Sequence, residues 1–284
     1  MSSIATIGFF DGVHRGHQFL FNYLRSEAKE RGLRPLIVTF KRHPRVALEA
    51  DYIPQLLTSP SEREALLSKY GEVLMLPFED FHTFTAEQFM AWLKANYGVS
   101  VLLMGYDHRF GSDRLKNPRD YRRIGESIGM EVLTTGEYTE TEWHVSSTEI
   151  RMALEAGNIL LANELLGRPY ALAGTVVHGK GVGRTIGFPT ANIAPLSPHK
   201  VIPKPGVYMA HVDTPAMDNA PAFVNIDKDK LIEVHVPSFK GDLYDQQLEI
   251  KFLRFIREEK HFESLEALRE QIKDDIDSIL RPDA

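Results

Sequence analysis

The stretch Ile4 to His17, IATIGFFDGVHRGH, constrains this chain more than any other. Ile4, Thr6 and Ile7 read as a buried strand, and Gln18 to Arg31 carries helical apolar spacing at Phe19, Leu20, Tyr23 and Leu24. Between them, Gly8, Gly12 and Gly16 permit tight turns and close backbone approach. A helix start just beyond offers amide N–H groups and a positive dipole end to phosphate. His14 and His17, three residues apart, can then face one ligand. The bland alternative leaves the glycines shaping a turn and both histidines solvated. A zinc site on Asp11, His14 and His17 ranks below both, because no fourth ligand lies nearby.

The rest of the N-terminal half alternates between strand and helix patterns. Leu33–Phe40, Val73–Phe78, Val99–Met104 and Met130–Thr134 are apolar runs of the kind buried on both faces of a parallel sheet. Helical segments separate them at Ser61–Tyr70, at Thr85–Tyr97 with capping-box spacing in Thr85 and Gln88, and from Asn117 and Pro118. Strand–helix alternation predicts an α/β domain with a doubly wound parallel sheet, whose ligands bind beyond the carboxyl ends of the strands. Polar clusters occupy that rim: His14 and His17, then His43, then Asp107 and Arg109, then Ser146 to Arg151. Ser146 and Glu149 have capping-box spacing, so an ordinary helix start explains them. Arg151 in the first turn is unfavourable there unless an anion is bound.

Beyond Gly157 and a short amphipathic piece, Asn158–Leu166, the rhythm changes. Leu172–Val177, Gly206–Val212, Pro221–Ile226, Leu231–Val236 and Leu248–Phe255 are short β runs without intervening helices, which predicts a small antiparallel barrel closed by a helix over Leu265–Leu280. The expected division is 1–157 for the sheet domain, 158–169 for a linker helix and 170–284 for the barrel. The loop HGKGVGRTIGFPTAN fits neither a Walker A nor a dinucleotide fingerprint, although its amides, with Lys180 and Arg184, can wrap phosphates or form a plain hairpin. Thr190 and Asn192 alternate with Ala191, so both oxygens can reach one hard cation. Glu233 and His235 lie opposite the apolar face of Ile232, Val234 and Val236, where Glu233 is either a proton acceptor or a surface charge.

At 284 residues the chain has room for about two domains. A formal net charge of -6 argues against nucleic acid or anionic membrane as partner, and the absence of cysteine fits a reducing cytoplasm. No apolar stretch reaches membrane-spanning length and no signal-peptide pattern opens the sequence, so a cytoplasmic protein is expected.

GFFDGVHRGH, TFKRHP, GYDHRFG and SSTEIR together resemble the blocks of the FAD synthetase (FMN adenylyltransferase) family, relatives of the HIGH-motif nucleotidyltransferases. GRTIGFPTAN, GVY at Gly206–Tyr208, IEVHVPSF and FIREEKHFESLEAL look like the riboflavin kinase family. The pair in this order is that of the prokaryotic bifunctional enzymes. The resemblance implies phosphorylation of riboflavin to FMN in the barrel and adenylyl transfer from ATP to FMN in the sheet domain. His14, His17 and Arg151 would stabilise the transferred phosphates. Gly8, Phe9, Asp11, Gly16, Ser147 and Thr148 would hold ATP there, and His43, Asp107 and Arg109 the flavin. In the barrel Glu233 would be the general base, Thr190 and Asn192 would bind Mg2+ with ATP, and Gly179, Lys180, Gly181, Gly183 and Arg184 would cover its phosphates. Arg257 would lie near the flavin. Two departures stand out: Phe9 or Phe10 replaces an Asn found in many relatives, and the usual Gly-x-Asn-Pro-Thr-Phe segment is shortened to Asp227–Lys230. Three alternatives remain open at this level: a single live activity, a flavin-nucleotide-binding regulator without turnover, and an adenylyltransferase for another phosphate-bearing acceptor.

Overall fold

A computed structural model describes residues 2–49, 51–139, 144–179, 183, 187–239, 241–260 and 262–280. The chain divides into two compact units, Met1–Ser147 and Thr148–Ala284.

In the first unit five parallel strands, β1 (Ser3–Ile7), β2 (Arg34–Phe40), β3 (Glu72–Leu76), β4 (Val99–Met104) and β5 (Glu131–Thr134), lie in the order β3-β2-β1-β4-β5. Side chains alternate between the faces, so each strand feeds two cores. Ala5, Val38 and Leu102 pack with Phe89, Leu93 and Tyr121, while Ile4, Ile37 and Leu103 pack with Phe21, Leu24 and Leu67. The packing helices are α1 (Arg15–Arg31), α3 (Pro60–Leu67), α4 (Ala86–Tyr97) and α5 (Pro118–Ile128), with a short α2 (Pro44–Leu48) between β2 and α3. The expected capping box is present: Thr85 Oγ1 accepts from the Gln88 N–H at 3.2 Å and Gln88 Oε1 from the Thr85 N–H at 2.9 Å. Helix α1 starts at Arg15, earlier than the apolar spacing suggests, because His14 is its N-cap. The strand order reverses between β1 and β4, which pair directly, and such a reversal opens a crevice at the carboxyl ends of the two strands.

The second unit holds most of α6 (Ser147–Ala156), then α7 (Ile159–Leu166) and six strands: β6 (Tyr170–Val177), β7 (Ala191–Pro195), β8 (Gly206–Thr214), β9 (Met217–Ile226), β10 (Ile232–His235) and β11 (Gln247–Arg257). They close an antiparallel barrel in the order β10-β7-β6-β11-β8-β9, followed by a helix over Leu265–Leu280. Of that helix's expected apolar stripe, Leu265, Leu268, Ile276 and Leu280 have side chains outside the described residues. Asn163 ties α7 to the barrel, donating to the Phe252 carbonyl at 2.8 Å and accepting the Tyr170 N–H at 2.7 Å. The shortened segment before Glu233 is a closed hairpin turn. Asp227 Oδ1 accepts the N–H groups of Asp229 and Leu231, both at 2.8 Å, with Lys230 at φ +62°. Among the described residues no helix is long and apolar enough to cross a membrane.

Candidate active sites

The crevice between β1 and β4 contains a pocket of about 220 Å³. Gly8, Phe9, His14, Gly16 and His17 form one side, Asp107 and His108 the other. The turn that carries the first group is strained: Phe10, Gly12 and Val13 have φ of +55°, +80° and +43°. For a β-branched residue such as Val13 this conformation is a genuine outlier, of order 1–3 kcal/mol, held only where the surroundings impose it. The surroundings are visible. Asp11 is buried, and its carboxylate accepts the N–H groups of Leu57 and Thr58 and the Thr58 hydroxyl, each at 3.0 Å. The Gly12 N–H donates to Thr58 Oγ1 at 3.0 Å, and Ser147 Oγ donates to the Asp11 carbonyl at 2.9 Å. Asp11 and Ser147 thus clamp the turn from behind and do not line the pocket.

The two histidines come together. His14 Nδ1 accepts the His17 N–H at 3.4 Å, and the rings stack with centroids 3.6 Å apart. Burial, then the neighbouring His14 and His108, hold the pKa of His17 well below 6.5. Burial also lowers His108 to about 4, against the pull of Asp107. Both rings are therefore neutral at pH 7, and negative charge brought close to them would favour their charged forms. The stability consequence has a definite sign. Below 6.5 the unfolded chain binds protons that the folded rings refuse, so this contribution is complete above pH 6.5 and is lost as pH falls toward about 4. We expect the melting temperature to fall from pH 7 to pH 5 and to fall less in His108→Phe. Equal slopes in thermal melts of the two proteins would contradict the lowered pKa of His108.

A second cavity, of about 460 Å³, shares Ile7, Gly8, Phe9 and His108 with the first. Its walls are aromatic: Phe40, Phe78, Phe81, Phe84 and Phe110. Arg109 lines it while donating to the carbonyls of Asp107 at 2.6 Å and Lys116 at 3.1 Å. His43 caps α2 and sets its ring edge on Phe9 at 4.8 Å, so it touches the site through that phenylalanine. Thr148 and Arg151 lie in the first turns of α6, in the second unit. The aromatic wall and His108 are residues that the motifs alone did not single out. The signal was present in FEDFHTF, three phenylalanines spaced through a polar loop just after β3.

The barrel has its own cavity, of about 600 Å³. Glu233 lines it, alternating on β10 with Ile232 and Val234, each 1% exposed. In register it stands between Asn192 of β7 and Asn225 of β9. Thr190 and Arg257 are also in the wall. His235 Nδ1 donates to the Pro189 carbonyl at 2.8 Å, which pins the chain just before Thr190. The Arg257 guanidinium is fixed by a two-pronged pair with buried Asp275 of the last helix, Nε to Oδ2 at 3.0 Å and Nη2 to Oδ2 at 2.8 Å with Nε to Oδ1 at 3.1 Å. Thr190 also faces a smaller cavity walled by Val234, Phe239 and Tyr244.

Two glycines define the cradle. A Cβ on Gly179 would collide with the Asn192 amide, and one on Gly183 with the Phe188 carbonyl while crowding Thr190 Oγ1. Gly179 and Gly183 therefore lie directly on the Asn192 and Thr190 side chains. Lys180, Gly181 and Arg184 fall outside the described residues. Among the described residues no cluster of three or more His, Asp or Glu offers a self-sufficient metal site. Neutral oxygens from Thr190 and Asn192, with one carboxylate at Glu233, instead suit a hard cation that shares its shell with phosphate and water.

Residues 1–149 match the FAD synthetase family and residues 166–281 the riboflavin kinase family. The bifunctional riboflavin kinase/FMN adenylyltransferase of Escherichia coli K12 is 36% identical over 283 residues, covering 96% of this chain and 90% of that protein. The protein of the same description from Pseudomonas fluorescens is 36% identical over 285 residues, with 96% and 90% covered. A crystal structure described as a macrolide-efflux protein from Streptococcus pneumoniae has a TM-score of 0.88 and 33% identity, covering 98% of this chain and 93% of its own. Matched in both halves and across nearly all of its length, the chain belongs to the family of bifunctional riboflavin kinases and FMN adenylyltransferases.

Proposed function

We propose that the two activities of the family are seated in the two cavity systems: riboflavin becomes FMN in the barrel, and FMN becomes FAD at the β1–β4 crevice. The observation that carries this reading is that each unit has its own site, a carboxylate between two asparagines in one and a stacked histidine pair on a strained glycine turn in the other. In the barrel, Glu233 takes the proton of the ribityl hydroxyl as its oxygen attacks the γ-phosphate of ATP and ADP leaves. Gly179, Gly183 and the loop between them cover the nucleotide, and Arg257 holds the flavin. Magnesium bound with ATP supplies charge neutralisation, with Thr190 and Asn192 as its protein ligands.

At the crevice the FMN phosphate is already a nucleophile, so no base is required. It attacks the α-phosphate of ATP and pyrophosphate leaves. His14 and His17 stabilise the charge on the transferred and leaving groups, with Gly8, Phe9 and Gly16 against the nucleotide. Asp11 and Ser147 act by holding the turn in its strained form. Thr148 and Arg151 take their phosphate roles from the family resemblance. His43, Asp107, Arg109 and the aromatic wall receive the flavin. The working compartment is the cytoplasm.

The test is a time course. Purified protein with riboflavin and magnesium ATP is expected to form FMN and ADP first, then FAD and pyrophosphate. Removal of the metal with EDTA is expected to stop FMN formation and its return to restore it. Persistence of FMN formation without divalent metal would overturn the roles of Thr190 and Asn192, and absence of FMN at every time point would overturn the order of steps.

A further inference from the structure

The crevice pocket and the aromatic-walled cavity of the first unit have four residues in common, and only one of them carries a polar side chain. Ile7 and Phe9 are apolar and Gly8 has no side chain; the fourth is His108. A turn in which the His108 N–H donates to the Gly105 carbonyl at 3.2 Å folds this residue back over the end of β4. One face of its ring stacks toward Phe110 of the aromatic wall, centroids 6.1 Å apart, and it is close enough to His17 to help lower that residue's pKa. Its Nε2 is shielded from water and has no hydrogen-bond partner among the described residues. A buried polar atom in that state is relieved when a ligand supplies the missing bond.

The acceptor in this reaction is a molecule of two characters. A flat aromatic system suits the phenylalanine-lined cavity and a phosphate suits the histidine pair, so a polyhydroxylated chain must cross the junction between them. We propose that His108 binds the ribityl phosphate of FMN at that crossing and sets its phosphate toward ATP. The proposal rests on the adenylylation of FMN at this crevice. A neutral imidazole suits the task, since it offers one donor and one acceptor to a chain of hydroxyls and phosphate oxygens. Asp107 and Arg109, the flanking residues singled out by the motif, are exposed, and Arg109 is engaged with backbone carbonyls.

His108→Phe keeps an aromatic ring against Phe110 and removes the hydrogen bond. We expect KM for FMN to rise about tenfold, the equivalent of about 1.4 kcal/mol, with KM for ATP and riboflavin phosphorylation near wild type. His108→Gln restores a donor and an acceptor and is expected to recover part of the loss. An unchanged KM for FMN in His108→Phe overturns the proposal. So does a parallel rise in both KM values with a lowered melting temperature that His108→Gln does not relieve, which is the pattern of a structural role. If His108→Phe fails to fold, His108→Gln decides by whether FMN and ATP are affected unequally. His17→Ala is run beside them: full FAD formation there would remove the underlying site assignment, whereas its loss with a normal His108→Phe would remove His108 alone.

Discussion

Replacing Glu233 by Gln is expected to lower FMN formation from riboflavin by about 10²- to 10⁴-fold while added FMN is still converted to FAD. Glutamine has the shape of glutamate and can accept a hydrogen bond, but it cannot carry away the proton of an attacking hydroxyl. The fold should hardly notice. Ile232 and Val234 anchor β10 on either side, and the flanking Asn192 and Asn225 provide amides that suit a third amide as well as a carboxylate. The loss therefore belongs in kcat, with ATP binding little changed, because the interaction removed is one that strengthens only as the proton moves. Product analysis by chromatography reads both activities in one sample. Retention of a tenth or more of the kinase rate would remove Glu233 as the base, and loss of both activities would refute independent sites.

The fold was legible where local sequence and burial agree. β1, β2 and β4 are runs that the structure buries on both faces, and Thr85 with Gln88 announced α4 by a capping box that forms as expected. Alternation of strand and helix gave the parallel sheet, and its absence in the second half gave the barrel. The start of α1 was less legible, because His14 serves as N-cap and histidine is outside the residue set that usually marks one. Helix α2 has five residues and no apolar repeat, too little signal for periodicity to catch.

The sites divide along the same line. Gly8, Phe9, His14, Gly16 and His17 come from one stretch, so their meeting on one wall follows from a single turn. What depends on distant partners was hidden. The Asp11 carboxylate turns inward because Thr58, 47 residues away, offers it an N–H and a hydroxyl. The aromatic wall collects Phe40, Phe78 and Phe110 from loops and strand ends far apart in sequence, and Arg257 finds Asp275 on another element. His108 was overlooked between two charged neighbours that a motif reading favours. In each case the missing information was tertiary: which side of a turn faces inward is settled by a partner that local spacing cannot reveal.

His17→Ala is expected to cut FAD formation by about 10²- to 10³-fold and to leave riboflavin phosphorylation intact, so that FMN accumulates. His17 is the better probe of the pair, because His14 also caps α1 and its removal would cost helix stability of about 1 kcal/mol besides any catalytic effect. The His17 ring has a buried Nδ1 without a partner among the described residues and a pKa depressed by burial and by two neighbouring histidines. An imidazole so placed is neutral while the crevice is empty and gains most from negative charge brought close to it. That gain grows as the bond to the leaving pyrophosphate lengthens, so the defect is expected in kcat more than in KM for FMN. Two controls separate this from simple collapse. The kinase rate reports on the rest of the chain, and His17→Asn, which keeps a hydrogen-bonding group but no titratable ring, should recover only a small part of the rate. FAD formation within a few-fold of wild type in His17→Ala would mean that the stacked pair shapes the turn and that charge on the phosphates is met by other groups.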